Sequence, residues 1–123
     1  MRILIAGGGE VGQLTAQRLI REGNEITIVE SDRRRAERLE GSLDARIVYG
    51  SAASIQTLED AGLADAEMLM AVTSVDEINI LACLIAHAHS RVRYKVARIR
   101  THEVEEWKQV CQRTGMHIDL IIH

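Results

Sequence analysis

Ile3-Leu4-Ile5-Ala6-Gly7-Gly8-Gly9-Glu10-Val11-Gly12 is the stretch from which the fold can be read. An apolar, strand-like run enters Gly7-x-Gly9-x-x-Gly12, and an apolar-periodic helical pattern follows at once. Each glycine has a separate physical reason. Gly7 permits the tight turn out of the strand, Gly9 removes a Cβ where a pyrophosphate can approach the backbone, and Gly12 lets the helix pack closely. The N–H groups around Glu10, Val11 and Gly12 then face outward at the positive end of a helix dipole, which favours an anion. Gly7, Gly8, Gly9, Glu10, Val11 and Gly12 are therefore the expected cradle. A tight turn in a fold that binds nothing would use the same glycines. What favours a ligand is Glu30, which ends a second apolar run, Glu25–Val29, at the distance where an acid can hold a ribose diol. The two signals together point to a dinucleotide or adenine-nucleotide site.

The rest of the chain alternates in the same way. Strand-like runs at Arg2–Ala6, Glu25–Glu30, Ala45–Tyr49, Met68–Val72, Tyr94–Ile99 and His117–Ile122 are separated by helical patterns. These helices lie near Val11–Glu22, Arg33–Leu39, Ile55–Ala61, Glu77–His89 and His102–Arg113. Alternation of this kind predicts right-handed βαβ units and an α/β, Rossmann-like, doubly wound parallel sheet of about six strands in a single domain. Asp32, Ser54, Ser74 and Thr101 stand where N-caps belong, and Ser74-x-x-Glu77 fits a capping box. Gly23, Gly41, Gly62 and Gly115 stand where left-handed C-caps belong.

Composition narrows the class. The chain has 123 residues, 46% of them apolar, and a formal charge of −3, which gives no reason to expect a nucleic-acid partner. Arginine supplies 13 of 15 basic residues, scattered except for Arg33-Arg34-Arg35. No apolar run reaches the roughly 20 residues of a membrane span, and no leader pattern opens the chain. Cys83 and Cys111 are isolated in apolar helical patterns, so reduced, buried thiols of a cytosolic protein are expected. The five histidines lack ligand spacing, and no nucleophile–base pair can be placed, so no metal and no catalytic residue is expected.

The chain resembles the N-terminal nucleotide-binding domain family of Trk-type potassium uptake regulatory subunits (TrkA), also called KTN or RCK domains. The resemblance spans essentially the whole chain. It rests on the glycine segment, Ile28-Val29-Glu30 with Asp32 and Arg35, Gly50-Ser51-Ala52, Leu58–Gly62, Ala71-Val72-Thr73-Ser74-x-Asp76-Glu77-x-Asn79 and Ala97-Arg98-Ile99-Arg100. It implies a regulatory module, residues 1–123 of something longer. That module binds NAD or NADH, or else ADP or ATP, and reports the ligand without chemistry to a membrane potassium transporter subunit. It further implies a homo-oligomer, a dimer or larger ring, and a cytoplasmic place at the inner face of the membrane. The alternative is the cofactor-binding domain of an NAD-dependent oxidoreductase, which would need a substrate domain. A third option is a scaffold that keeps the fold and binds nothing.

The remaining site residues follow. Glu30, read as exposed at a strand end, would grip the ribose 2′- and 3′-hydroxyls and repel a 2′-phosphate, which favours NAD(H). Arg33, Arg34 and Arg35 pull the other way, although a triple arginine opening a helix reads as a solvated face. Glu10 stands where relatives often have arginine or glutamine, and it competes with a third phosphate. Ser51 stands where relatives often have aspartate, a weaker contact to the adenine edge. Thr73 and Ser74, at the carboxyl end of the fourth strand, border the crevice and are carried over as binding positions. For Arg98 and Arg100 alike, an ion pair to Asp76 or a neighbouring acid is the plain alternative; by the resemblance Arg98 is carried over as a nucleotide contact, and Arg100 is left facing solvent or a partner. The run Ile78–Ala86 is apolar nearly all round, so that helix is either sandwiched in the core or covered by another subunit. Val104, Trp107, Val110 and Cys111 form a second stripe that can pack on the sheet or on a partner.

Overall fold

The computed structural model describes residues 1–122, with His123 outside them, and turns the expected alternation into six strands and five α-helices, with one short 3-10 turn at Leu63–Asp65. In chain order these are β1 (Arg2–Ala6), α1 (Glu10–Arg21), β2 (Glu25–Glu30), α2 (Arg33–Glu40), β3 (Arg46–Tyr49) and α3 (Ile55–Asp60). There follow β4 (Met68–Ala71), α4 (Asp76–His89), β5 (Tyr94–Ile99), α5 (Val104–Arg113) and β6 (Asp119–Ile122). All the strand pairs are parallel, in the order β3-β2-β1-β4-β5-β6. The chain therefore builds outward to β3, crosses back, and builds outward the other way from β4. The reversal between β1 and β4 is the topological switch point at which a crevice opens beyond the carboxyl ends of the strands.

The period of two in the strands divides the core. Ile3 and Ile5 join Ile26 and Ile28 beneath Ala16 of α1 and Leu39 of α2. Leu4 and Ala6 join Leu69, Ala71 and Ala97 beneath Leu58 of α3 and Ala82, Cys83 and Ala86 of α4. Each fully buried leucine or isoleucine contributes about 1.5–3 kcal/mol of hydrophobic stabilisation. A sheet covered on both faces explains why its strands read as nearly continuous apolar runs. Helix α4 is one-sided within this chain. Asn79, Ala82, Cys83 and Ala86 are buried, whereas Leu81 and Leu84 stay 43% and 44% exposed. On α5, Cys111 is buried and Val110 is exposed.

Two N-caps form as expected. Asp32 Oδ1 accepts from Arg35 N at 2.9 Å, and Ser54 Oγ accepts from Thr57 N at 3.2 Å. Two do not. Helix α4 starts at Asp76 behind Val75, and α5 at Val104 behind Glu103, neither with a side-chain cap. The expected capping box at Ser74 is replaced by a longer-range arrangement: the Asp76 carboxylate accepts from Arg100 N at 3.1 Å and Thr101 N at 2.9 Å. Gly41 keeps a right-handed φ of −86°, so it is no left-handed cap, while Gly23, Gly62 and Gly115 have φ of +91°, +90° and +75°. The thiols of Cys83 and Cys111 are free and buried.

Candidate functional site

The register sets the carboxyl ends of β1, β2 and β4 side by side, with Ala6 paired to both Val29 and Ala71. Just beyond them the chain must turn sharply. Gly7 does so at φ +110°, a conformation that side chains rarely adopt, and a Cβ there would lie 2.9 Å from Thr73 N. At Gly12 the constraint is closeness: a Cβ would meet Gly7 O at 1.9 Å, so only a hydrogen lets α1 seat on the turn. Gly9 differs from both. Its nearest neighbour to an added Cβ is Arg35 Nη1 at 4.0 Å, which leaves open space over the backbone. Gly9 is also the N-cap of α1 and supplies no side-chain cap, so the N–H groups of the first turn have no acceptor within the helix.

The resulting cleft, about 440 Å³, is lined by Gly7, Gly9, Glu10 and Val11 from the turn and by Glu30, Ser31 and Arg35 from the end of β2 and start of α2. Gly50, Ser51 and Ala52 follow β3, Val72 to Val75 follow β4, and Ile78 and Arg98 complete the wall. The structure thus brings Gly7, Gly9, Glu10, Val11, Glu30, Ser51, Thr73, Ser74 and Arg98 into one place. Gly8 and Gly12 are behind it. Gly8 N donates to Glu30, its carbonyl accepts from Gln13 Nε2 at 2.9 Å, and a Cβ there would meet Leu39 Cδ1 at 2.5 Å. Both therefore shape the turn instead of lining the cleft. A wider groove of about 820 Å³ crosses the opposite edge of the sheet, but its charges are exposed and mixed, and Arg2 pairs with Glu25 at 3.3 Å. The smaller cleft has the buried polar groups.

Glu30 corrects the expectation of an exposed acid. It is only 4% exposed, because Oε1 accepts from Gly8 N at 2.9 Å and Oε2 from Asp32 N at 2.7 Å, closing the space between the glycine turn and α2. Arg35 Nη1 stands 3.6 Å from Oε1. The triple arginine therefore splits. Arg35 enters the cleft, Arg33 stacks 4.9 Å over the Tyr49 ring, and Arg34 stays exposed. The N–H of Arg35 donated to Asp32 holds that carboxyl below its usual range, with the Arg35 charge adding to the effect against slight desolvation.

Across the cleft, Asn79 is the residue that sequence reasoning missed. It is fully buried on α4; Oδ1 accepts from Thr73 N at 2.9 Å and Thr73 Oγ1 at 2.6 Å, and Nδ2 donates to Thr73 O at 3.1 Å and Arg98 O at 2.8 Å. One amide therefore fixes the ends of β4 and β5 together. The available signal was an asparagine inside an apolar helical run. Arg98 Nε is buried and has no hydrogen-bond partner among the described residues. Arg100 forms no ion pair with Asp76. Its backbone N–H meets that carboxylate, and its guanidinium donates to Ser74 O at 2.6 Å. Among the described residues no three His, Cys, Asp or Glu side chains gather to hold a metal ion, and no helix is long and apolar enough to cross a membrane.

The profile of the TrkA-N domain family matches residues 3–123. A Trk system potassium uptake protein TrkA of Halomonas elongata is 40% identical over 122 residues, covering 99% of this chain and 27% of that protein. The chain thus spans about a quarter of the length of this protein and of the similar TrkA proteins of Azorhizobium caulinodans and Haemophilus influenzae. Among solved structures, the GsuK channel bound to NAD superposes with a TM-score of 0.81 at 21% identity over 98% of this chain and 21% of that one. The AMP-bound C-terminal domain of Kef from Shewanella denitrificans superposes with a TM-score of 0.76 at 23% identity, covering all of this chain and 72% of the other. At those identities the likeness is one of fold.

Proposed function

This chain belongs to the TrkA-N domain family, and from that premise we propose that residues 1–123 are a nucleotide-binding regulatory domain of a potassium uptake system. The ligand on this reading is NAD or NADH, with ADP or ATP as second choices. The observation that carries it is Arg98 Nε, a buried donor in the wall of the cleft without a partner among the described residues. A buried charged donor is costly to leave unpaired, and a phosphate oxygen satisfies it. The other residues fit the same group. Open space over Gly9 and the free N–H groups of the first turn of α1 accept a pyrophosphate. Glu30 uses one lone pair on each oxygen for a backbone N–H, and the remaining ones can accept ribose hydroxyls. Ser51, Thr73 and Ser74 border the cleft as hydroxyl partners, while Glu10 at its edge opposes a third phosphate.

The domain has no chemical step of its own on this reading; the ligand supplies negative charge and a diol for recognition. Regulation follows from differential affinity. A nucleotide held between the glycine turn and the β4–α4 corner favours whichever subunit arrangement binds it better, and shifts the balance only by that difference. The open side of α4, at Leu81 and Leu84, belongs to the same helix as the buried Asn79 and offers a face for a second subunit. A homo-oligomer, dimer or ring, seated on a membrane potassium transporter subunit at the cytoplasmic face completes the proposal.

The test is a calorimetric titration of the chain with NADH, NAD, NADPH, ADP and ATP. Saturable binding is expected, tighter for NADH or NAD than for NADPH. Arg98→Met should weaken it by about tenfold or more, the loss of one charge-assisted hydrogen bond. A chain that binds none of the five overturns the reading.

A further inference from the structure

On the reading of the cleft given above, we infer that Asn79 is its positioning residue, a side chain that touches no ligand and acts on binding through Arg98 and Thr73. Asn79 lies near the start of α4 and is fully buried. An asparagine amide has two acceptor lone pairs and two N–H donors. All are committed here. Oδ1 accepts from Thr73 N at 2.9 Å and Thr73 Oγ1 at 2.6 Å, and Nδ2 donates to Thr73 O at 3.1 Å and Arg98 O at 2.8 Å. No hydrogen-bonding capacity is left for a ligand. Whatever Asn79 does for binding passes through those two residues, and both line the cleft.

What it sets is the spacing of two strand ends. The ladder between β4 and β5 runs from Met68↔Tyr94 to Ala71↔Ala97. Beyond that last pair it is the Asn79 amide that ties Thr73 to Arg98. Asp76, three residues earlier on the same face of α4, holds the next stretch of chain, its carboxylate accepting from Arg100 N at 3.1 Å and Thr101 N at 2.9 Å. The Thr73 backbone also abuts the glycine turn, since a Cβ at Gly7 would lie 2.9 Å from Thr73 N. Asn79 therefore links the strand that carries Arg98 to the turn over which a pyrophosphate would lie.

Placement decides what Arg98 can contribute. Its Nε is buried without a partner among the described residues, so it gains from a phosphate oxygen only where it is aimed at one. A hydrogen bond weakens steeply once its angle falls below about 120°, and a binding group has to be held to within about 0.5 Å of its productive place. Asparagine meets the demands of this corner by its length and its chemistry together. Aspartate has the same outline but no donor, and glutamine is one methylene longer, so neither reproduces the bonds to both strand ends.

The experiment is a double-substitution cycle on the whole chain, read by calorimetry with NADH: wild type, Asn79→Asp, Arg98→Met and the two combined, each shown to be folded by its amide spectrum. Asn79→Asp sets an oxygen against the carbonyls of Thr73 and Arg98 without opening a cavity. Affinity should fall by about tenfold, close to the loss in Arg98→Met, and the combined variant should lose little more than Arg98→Met alone, because both changes act on the same contact. Losses that multiply in the combined variant would make Asn79 a structural amide only and overturn the inference, as would normal NADH binding by Asn79→Asp. Should Asn79→Asp fail to fold, wild type and Arg98→Met are compared at saturating NADH. The side-chain amide resonances of Asn79 should shift in wild type and stay in place in Arg98→Met; an equal shift in both, or none in either, overturns it. A wild type that binds no nucleotide overturns the reading of the cleft and this inference with it, whereas a wild type that binds, with losses that multiply, overturns this inference alone.

Discussion

At Glu30 the two carboxylate oxygens each accept a backbone N–H, from Gly8 and Asp32, before any ligand is considered. Removing the acid therefore tests two things at once, stability and recognition. Glu30→Gln retains the shape but puts an amide donor where one of those N–H groups needs an acceptor. The expected cost is about 1–3 kcal/mol, the usual penalty for a buried donor left unpaired, read as a lower urea midpoint. Nucleotide affinity should fall with it. Gly9 separates the two effects, because an added methyl there meets only Arg35 Nη1 at 4.0 Å and the residue's φ of −75° suits any amino acid. Gly9→Ala should fold with a loss of about 1 kcal/mol or less, the cost of a poorer N-cap, and yet fail to bind nucleotide by calorimetry. Gly12→Ala should do the opposite and unfold the chain, since its Cβ would sit 1.9 Å from a backbone oxygen. If Gly9→Ala bound NADH normally, close approach of a phosphate to that backbone would be ruled out.

Among the elements, α4 shows where local reading works and where it stops. Its apolar spacing was visible in the residues, and so were the caps of α2 and α3, because a cap is settled within four residues. Ser54→Ala should accordingly cost about 1 kcal/mol in thermal or urea unfolding. The pattern Ser74-x-x-Glu77 looked equally good and misled, because the carboxylate of Asp76 is committed to backbone groups at Arg100 and Thr101, 24 and 25 residues away. Ser74→Ala should therefore change stability by no more than about 0.5 kcal/mol, the range of an ordinary surface substitution. Asn79 was hidden for the same reason, since its partners lie on two different strands. Asn79→Leu fills the same space without hydrogen bonds, leaving Thr73 N and Arg98 O unpaired at about 1–3 kcal/mol each. Amide exchange at Thr73 should accelerate in this variant. If its protection were unchanged, the clamp between β4 and β5 would have to come from packing alone.

For the molecule as a whole, the parallel sheet was legible because both its faces are covered, so every strand is written as an apolar run between helical patterns. The same enclosure governs its response to pH in a way the residues alone did not reveal. Burial beneath α4 pushes the Cys83 thiol up to about 12 from its ordinary 9.0, with the Lys95 charge only partly opposing. The folded chain thus keeps a proton that the unfolded chain has released once the pH passes about 9. Unfolding then releases a proton, so stability must fall as pH rises through that window, by up to about 1.4 kcal/mol per pH unit from this one group. Below the ordinary thiol range both states are protonated, and the effect disappears. Cys83→Ala should be less stable at neutral pH because it leaves a small cavity, but its stability should decline less steeply on alkalinisation. Urea midpoints of both proteins across about pH 8 to about pH 11 would check this, since the two chains differ only at this thiol. Converging stability curves would place the buried thiol in the linkage. Parallel curves would mean that Cys83 ionises without hindrance, and that the space between α4 and β5 admits water.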